Sequence, residues 1–284
     1  MLIFRLLPLL LLLTGCQLDT LLPPLADEES PPIEGLVLQS TPQLGTFPPR
    51  PPVATNWRDP ITGITLTRIP GGCFTMGDNQ GKPPEQPAHT VCLQDFWLAI
   101  HETTQQQWQQ IMGSVPIQTI TQPELPVENV SWNETSHFLQ RLNSASPGRF
   151  RLPTEAEWEF ACRNRGKTRH FCGTDDDPTP YAWYNGGGGS LHPVGERLPN
   201  GLGLFDMNGN AWEWVADWFD EGYYAAAPAN NPEGPETGSA RVFRGGGVFS
   251  GPEFIRATHR ANLWPDRKHS LLGFRVAGTP PDGE

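Results

Sequence analysis

Apolar positions fall at helical spacing in only three segments of the chain. In "TQQQWQQIMG" (104–113) Trp108, Ile111 and Met112 share one face, Thr104 and Gln107 have capping-box spacing, and Gly113 provides a stop. "NETSHFLQRLN" (133–143) places Phe138 and Leu142 four apart and offers Asn133 as a cap. "PTEAEWEFACR" (153–163) repeats the capping box at Thr154 and Glu157, with Trp158, Ala161 and Cys162 expected to face inward. Elsewhere there are short β-prone runs, "ITLTRI", "RVFRGG" and "GFRVAG", separated by Gly- and Pro-rich loops. No solenoid repeat and no heptad is present. The pattern predicts a single α+β domain over 56–280 with little regular secondary structure.

The N-terminus reads differently. "MLIFRLLPLLLLLTGC" has one Arg and an unbroken apolar run from Leu6 to Leu13 before the small-residue step into Cys16. That run is too short for a permanent membrane helix and predicts a secretory leader over 1–15. "LTGC" resembles the lipobox of bacterial lipoproteins, which implies lipidation of Cys16. Several acyl chains would then anchor the protein, since each buried methylene contributes about 0.8 kcal/mol. Gln17 in place of Asp after that Cys implies, by the enterobacterial sorting rule, an outer-membrane anchor facing the periplasm. Residues 16–55 are dense in Pro ("LLPPL", "SPPIEG", "TFPPRPPVA") and poor in aromatics, so they predict a semi-extended tether.

Composition narrows the rest. With 284 residues, 37% hydrophobic content, 10 Trp and 14 Phe, the chain can bury a substantial core. A formal net charge of −11 argues against nucleic acid, whose phosphates need a basic stripe. Without Cys16, four cysteines remain, Cys73, Cys92, Cys162 and Cys172, an even number in an exported chain. Of the three pairings open to four cysteines, proximity in sequence favours Cys73–Cys92 and Cys162–Cys172. Zinc is the rival reading, but no C-x-x-C or H-x-x-x-H spacing supports it. "TDDDPTP" (174–180) reads as a solvated loop, and Gly186 to Gly189 lack the Lys-Ser/Thr of a phosphate loop. No GxSxG elbow supports a Ser/His/Asp hydrolase at Ser250.

Six ordered motifs carry a resemblance: "IPGGCFTMGD", "LPVENVSWNETSHFLQRLN", "RFRLPTEAEWEFACR", "NGLGLFDMNGNAWEWVADW", "FRGGGVFS" and "LLGFRVAG". Together they resemble the formylglycine-generating enzyme (sulfatase-modifying factor) family from about Pro60 to Gly278. The resemblance implies a C-type-lectin-like fold with bound calcium. In "GLFDMNGNAWEWVADW" it implies that Asp206 and Glu213 give side-chain oxygens, and Gly209 and Ala211 main-chain carbonyls, to Ca2+. Calcium accepts such mixed oxygen sets in irregular loops. Asp206-x-Asn208-x-Asn210 also resembles an EF-hand start, but Ala211 stands where that loop needs Gly. Some relatives hold a second calcium in the region of "YAWYNGGGGSLHPVG", where no ligands carry over. Trp212, Trp214 and Trp218 read as core around the site, although the resemblance places Trp212 in the substrate cleft.

Catalysis in the family's oxidases rests on Cu(I) held by two thiolates five residues apart after a Gly pair, soft ligands for a soft ion. Gly245 and Gly246 match that pair, which puts Ser250 and Ile255 at the thiol positions. A nearby family serine falls on Gly247, and Val276 follows "GFR" where the family has Cys. Copper is therefore not expected. Two functions remain: a calcium-stabilised binding, regulatory or accessory protein with an envelope protein or peptide-like partner, as in the family's type VI secretion regulators, or an oxidative tailoring enzyme of the pyoverdine-maturation type. For the latter, Ser250, Glu253, His259, Arg260 and Trp212 are the cleft candidates. The seven histidines are dispersed, with none at paired ligand spacing.

Overall fold

The computed structural model describes residues 56–116, 122–168 and 170–282. The leader 1–15, Cys16 and the 16–55 tether lie outside the described residues. Among the described residues the domain has three sheets and three α-helices. The strands are β1 (Asn56–Arg58), β2 (Thr65–Ile69), β3 (Gly72–Met76), β4 (His89–Leu93), β5 (Phe96–Ala99), β6 (Arg149–Arg151), β7 (Trp212–Trp218), β8 (Arg241–Arg244), β9 (Ala261–Leu263), β10 (Leu272–Phe274) and β11 (Ala277–Thr279). An antiparallel sheet runs β1-β2-β5-β11-β6, a second runs β10-β7-β8-β9, and β3 and β4 form a hairpin. Among the named strands of the described residues, β10 and β7 are the parallel pair, with Gly273 opposite Glu213.

The helices are α1 (Gln105–Met112), α2 (Trp132–Ala145) and α3 (Glu155–Cys162). The capping boxes at Thr104/Gln107 and Thr154/Glu157 form as the spacing predicts, and Gly113 ends α1 at φ 81°. The start of α2 differs. Ser131, not Asn133, is its cap, because Ser131 and Glu134 complete a capping box that leaves Asn133 inside the helix. "GFRVAG" also differs from a single strand: the chain leaves the four-stranded sheet after Phe274 and joins the five-stranded sheet at Ala277. Arg275 sits at that crossing.

Two apolar clusters fill the interior. In one, Trp108 stacks on Phe138 at 5.2 Å and Phe274 of β10 meets Phe138 edge-on at 5.4 Å, fixing α1 and α2 to the four-stranded sheet. In the other, α3 packs against the hairpin through Phe160 and Phe74, 5.2 Å apart. All eight residues of α3 are buried, its three glutamates included. Such a helix is stable only if those charges are paired. Glu155 holds Arg244 and Arg260, Glu159 holds Arg244 and Arg163, and Glu157 holds Arg151. The disulfides are Cys73–Cys92, across facing positions of the hairpin, and Cys162–Cys172, closing the chain after α3.

Candidate functional site

The stretch 203–218 coils tightly before it becomes β7. Asp206, Gly209 and Asn210 take φ of 54°, 76° and 53°, the left-handed region that Gly, Asn and Asp tolerate best. A Cβ on Gly209 would lie 2.0 Å from the Trp183 carbonyl oxygen, so no other residue fits there. The turn brings three carboxylates toward one guanidinium. Glu213 grips Arg275 through both oxygens at 2.6 and 2.7 Å and accepts the Trp158 indole N–H at 2.7 Å. Glu102 accepts from the Ala211 N–H at 2.9 Å and the Asn210 amide at 3.0 Å. Asp206 Oδ2 accepts from Gly195 N–H at 2.7 Å, while its Oδ1 is buried with no partner.

One Arg for three buried carboxylates leaves negative charge in excess. Burial pushes Glu102 well above the usual carboxylate range, and the neighbouring Asp206 and Glu213 add to the shift. Burial likewise raises Asp206 to about 6, against the pull of the Gly195 N–H and of Arg275. Among the described residues no three His, Cys, Asp or Glu side chains converge closely enough to hold a metal on their own. The donor set that fits a hard cation is therefore mixed: the unpartnered Asp206 Oδ1 with main-chain oxygens of the same turn. Asn208, one position before Gly209, accepts from Cys172 N–H and donates to the Ile255 carbonyl, which ties this turn to the following segment.

That segment, 245–260, bears the other candidates. Gly245 and Gly246 have φ of 96° and 80°, and a Cβ on Gly246 would lie 2.5 Å from Ile255 Cγ2. Ser250 Oγ accepts the Gly247 N–H at 2.9 Å, and Ile255 has no exposed surface. Trp212 lies half-buried beside Gly247, with its ring centroid 5.9 Å from His259 and 5.1 Å from Phe243. Phe254 meets His259 edge-on at 5.4 Å, with the Lys82 ammonium 4.6 Å from the Phe254 centroid. Burial holds the His259 imidazole below its usual range, and its Nδ1, 3.8 Å from Glu85 Oε1, has no hydrogen bond. Phe249 and Phe254 stay 58% and 38% exposed, so an aromatic surface faces solvent here. Phe249 and Leu271 also border an open groove of about 470 Å³.

Of the five cleft candidates, the structure brings Trp212 and His259 together and places Ser250 in the neighbouring turn. Glu253 is exposed, and its main-chain carbonyl accepts from Arg256 Nε at 3.2 Å. Arg260 turns elsewhere, held by both oxygens of Glu155 and lying 4.2 Å over the Tyr224 ring. Sequence reasoning missed Glu102 and Arg275, the two groups that set the charge of the carboxylate cluster. Arg275 lies inside the quoted "LLGFRVAG", so its motif was visible although its partner was not.

Short strands, buried ion pairs and glycine turns around an aromatic cleft define an α+β domain of the formylglycine-generating type. The family model described as "Sulfatase-modifying factor enzyme 1-like domain" matches residues 56–280, and the chain belongs to that family. It is 37% identical over 172 residues to the "Formylglycine-generating enzyme" of Streptomyces coelicolor, covering 55% of this chain and 53% of that protein. The chain thus spans about half the length of that curated relative. Among solved structures, "Treponema denticola variable protein 1" superposes with TM-score 0.69 at 29% identity, covering 76% of this chain and 95% of that one. PvdO from Pseudomonas aeruginosa gives TM-score 0.69 at 26% identity over 79% and 98% of the two chains.

Proposed function

We propose that the protein is an exported, lipid-anchored envelope factor whose formylglycine-generating-type domain binds a protein or peptide-like partner at the Trp212 cleft and does not carry out copper-dependent formylglycine formation. The observation that carries this reading is the pair of positions matching the family's copper thiolates. Ser250 offers a hydroxyl already engaged by Gly247 N–H, and Ile255 offers buried hydrocarbon. The four described cysteines are all in disulfides. A hydroxyl is too hard and too weakly acidic to replace a thiolate on Cu(I). The exposed Phe249 and Phe254 beside Trp212 supply apolar contact surface of the kind protein partners use.

Calcium is part of the proposal. Asp206 Oδ1 with the carbonyls of Gly209 and Ala211 would hold it; Glu213, which the resemblance also offers as a ligand, has both oxygens on Arg275 and with Glu102 supplies the charge that favours the ion. A bound ion would lock the turn that carries Trp212. Anchoring through Cys16, in the outer membrane facing the periplasm, follows from the lipobox and Gln17. Globomycin should accumulate the precursor, and Cys16→Ser should release the protein from membranes.

Likeness to PvdO over nearly its whole length favours a second reading, an oxidative tailoring enzyme acting on a peptide or siderophore precursor. Trp212, His259 and Ser250 would line its site. One experiment addresses both readings. Purified without chelator, the protein should carry calcium and no iron or copper, and it should leave a Cys-x-Pro-x-Arg peptide unchanged in mass with oxygen, reductant and Cu(I). Aldehyde in excess of a no-protein control overturns the proposal, and bound iron or copper favours the second reading.

A further inference from the structure

A second concavity shares no lining residue with the groove beside Phe249. Its volume is about 620 Å³, inside the range of roughly 300–1,000 Å³ usual for small-ligand sites. The floor is apolar, made by Leu93, Phe96, Leu139, Phe150, Leu152 and Ala216, the first five buried core side chains that offer only an edge. Trp132 forms one side and is fixed in place: its indole N–H donates to the Val215 carbonyl at 2.9 Å, and the Arg241 guanidinium lies 3.8 Å over its ring.

The opposite wall is rigid for a different reason. Residues 229–231 run beside β4, with Cys92 N–H donating to the Ala229 carbonyl at 2.7 Å and Asn231 N–H to the Cys92 carbonyl at 2.9 Å. Asn231 Oδ1 accepts from Gln94 N–H at 2.8 Å, and Cys92 is bonded to Cys73. This disulfide-clamped wall delivers Glu233 to the rim. The other rim carboxylates are spent, Asp95 on Arg68 and Glu157 on Arg151. Glu233 makes no ion pair within 4.0 Å among the described residues and shares with Glu157 the field of the Arg151 guanidinium.

We infer that this pocket binds a small amphiphilic cation, with its apolar or aromatic body on the floor and a single ammonium beside Glu233. A neutral body alone would leave two rim carboxylates, Glu157 and Glu233, sharing the one Arg151 guanidinium, and a carboxylate ligand would add a third. The chain's net charge of −11 adds a field of the same sign. The site stands apart from the Trp212 cleft, so it holds whichever function that cleft performs.

The test uses two probes of one skeleton and opposite charge, 4-phenylbutylamine and 4-phenylbutyrate. They are titrated by ligand-detected NMR against the full-length chain bearing Cys16→Ser, which avoids detergent. An exposed ion pair contributes up to about 1 kcal/mol, so the amine should bind about fivefold more tightly than the acid. Glu233→Gln should bring that preference below about twofold. Ala216→Trp should abolish binding of both probes, and Phe249→Ala should change neither. If Ala216→Trp does not fold, the exposed Glu233→Gln decides alone. No binding of the amine at millimolar concentration, equal binding of the two probes, a preference unchanged in Glu233→Gln, or loss of binding in Phe249→Ala overturns the inference.

Discussion

Two buried clusters of carboxylates lie in this domain, and they are balanced differently. Around α3, Glu155 and Glu159 hold Arg163, Arg244 and Arg260 through hydrogen bonds of 2.7–2.9 Å, and Asp217 accepts the Glu155 main-chain N–H at 2.7 Å. Around the Asp206 turn, Glu102, Asp206 and Glu213 face Arg275 alone. Removing a charge from water costs several kcal/mol unless a partner compensates it. The first cluster closes on itself and needs nothing further to hold the fold. The second leaves about two negative charges to be met by protons or by a cation, and it leaves Asp206 Oδ1 without a partner. The contrast separates a self-compensated ion-pair network from an overcharged turn, which is the basis for proposing a cation there.

The sharpest way to break this comparison is to remove the single guanidinium of the second cluster. Arg275→Met leaves three buried carboxylates unopposed, and a loss of about 3–5 kcal/mol is expected by chemical denaturation in calcium-free buffer. Millimolar calcium should restore more stability to Arg275→Met than it adds to the wild type. An identical calcium increment in both would make the two clusters equivalent.

Arg244→Met should cost a similar or slightly smaller amount, because Arg163 and Arg260 remain beside Glu159 and Glu155. Calcium should return none of that loss. Rescue of Arg244→Met by calcium would place the ion at α3 and end the distinction.

A smaller, pH-dependent effect sharpens it. Burial pushes Asp217 up to about 8 from 3.8, with Glu155 adding to the shift. A carboxyl whose folded-state pKa is raised favours the fold while protonated. Its contribution is complete below its ordinary pKa and is lost as pH rises toward about 8. Asp217→Asn cannot ionise, so its melting temperature should gain on the wild type by a few degrees between pH 5 and pH 9. A gap that does not change over that range would show Asp217 titrating as an ordinary surface acid.

Much of the fold is legible in the sequence, for identifiable reasons. Capping boxes at Thr104 and Thr154 are local, because partners three residues apart decide them, and both form. The cap of α2 was misplaced because two polar residues stand two apart, and only Ser131 has an acid three residues on. Cysteine parity and proximity gave both disulfides. The turn at Asp206 was visible as a motif, since its Asn-Gly-Asn run has the residues that left-handed φ demands. Its charge balance was not visible. Glu102 reaches Asn210 and Ala211 across more than a hundred residues, and Arg275 reaches Glu213 across sixty-two. No periodicity encodes a contact of that range. The pocket under Glu233 is hidden for the same reason, as its walls come from five separate stretches of chain.

The central claim is that the Asp206 turn is a cation site, and the sign of one substitution tests it most directly. In calcium-free buffer, Asp206→Asn removes a buried negative charge from an overcharged cluster and should melt at or above the wild type. With calcium at about a hundredfold over its Kd, the wild type should gain about 2.7 kcal/mol while Asp206→Asn gains little, so the order of the two melting temperatures reverses. An Asp206→Asn variant that melts below the wild type by the same margin with calcium and with chelator would contradict the account.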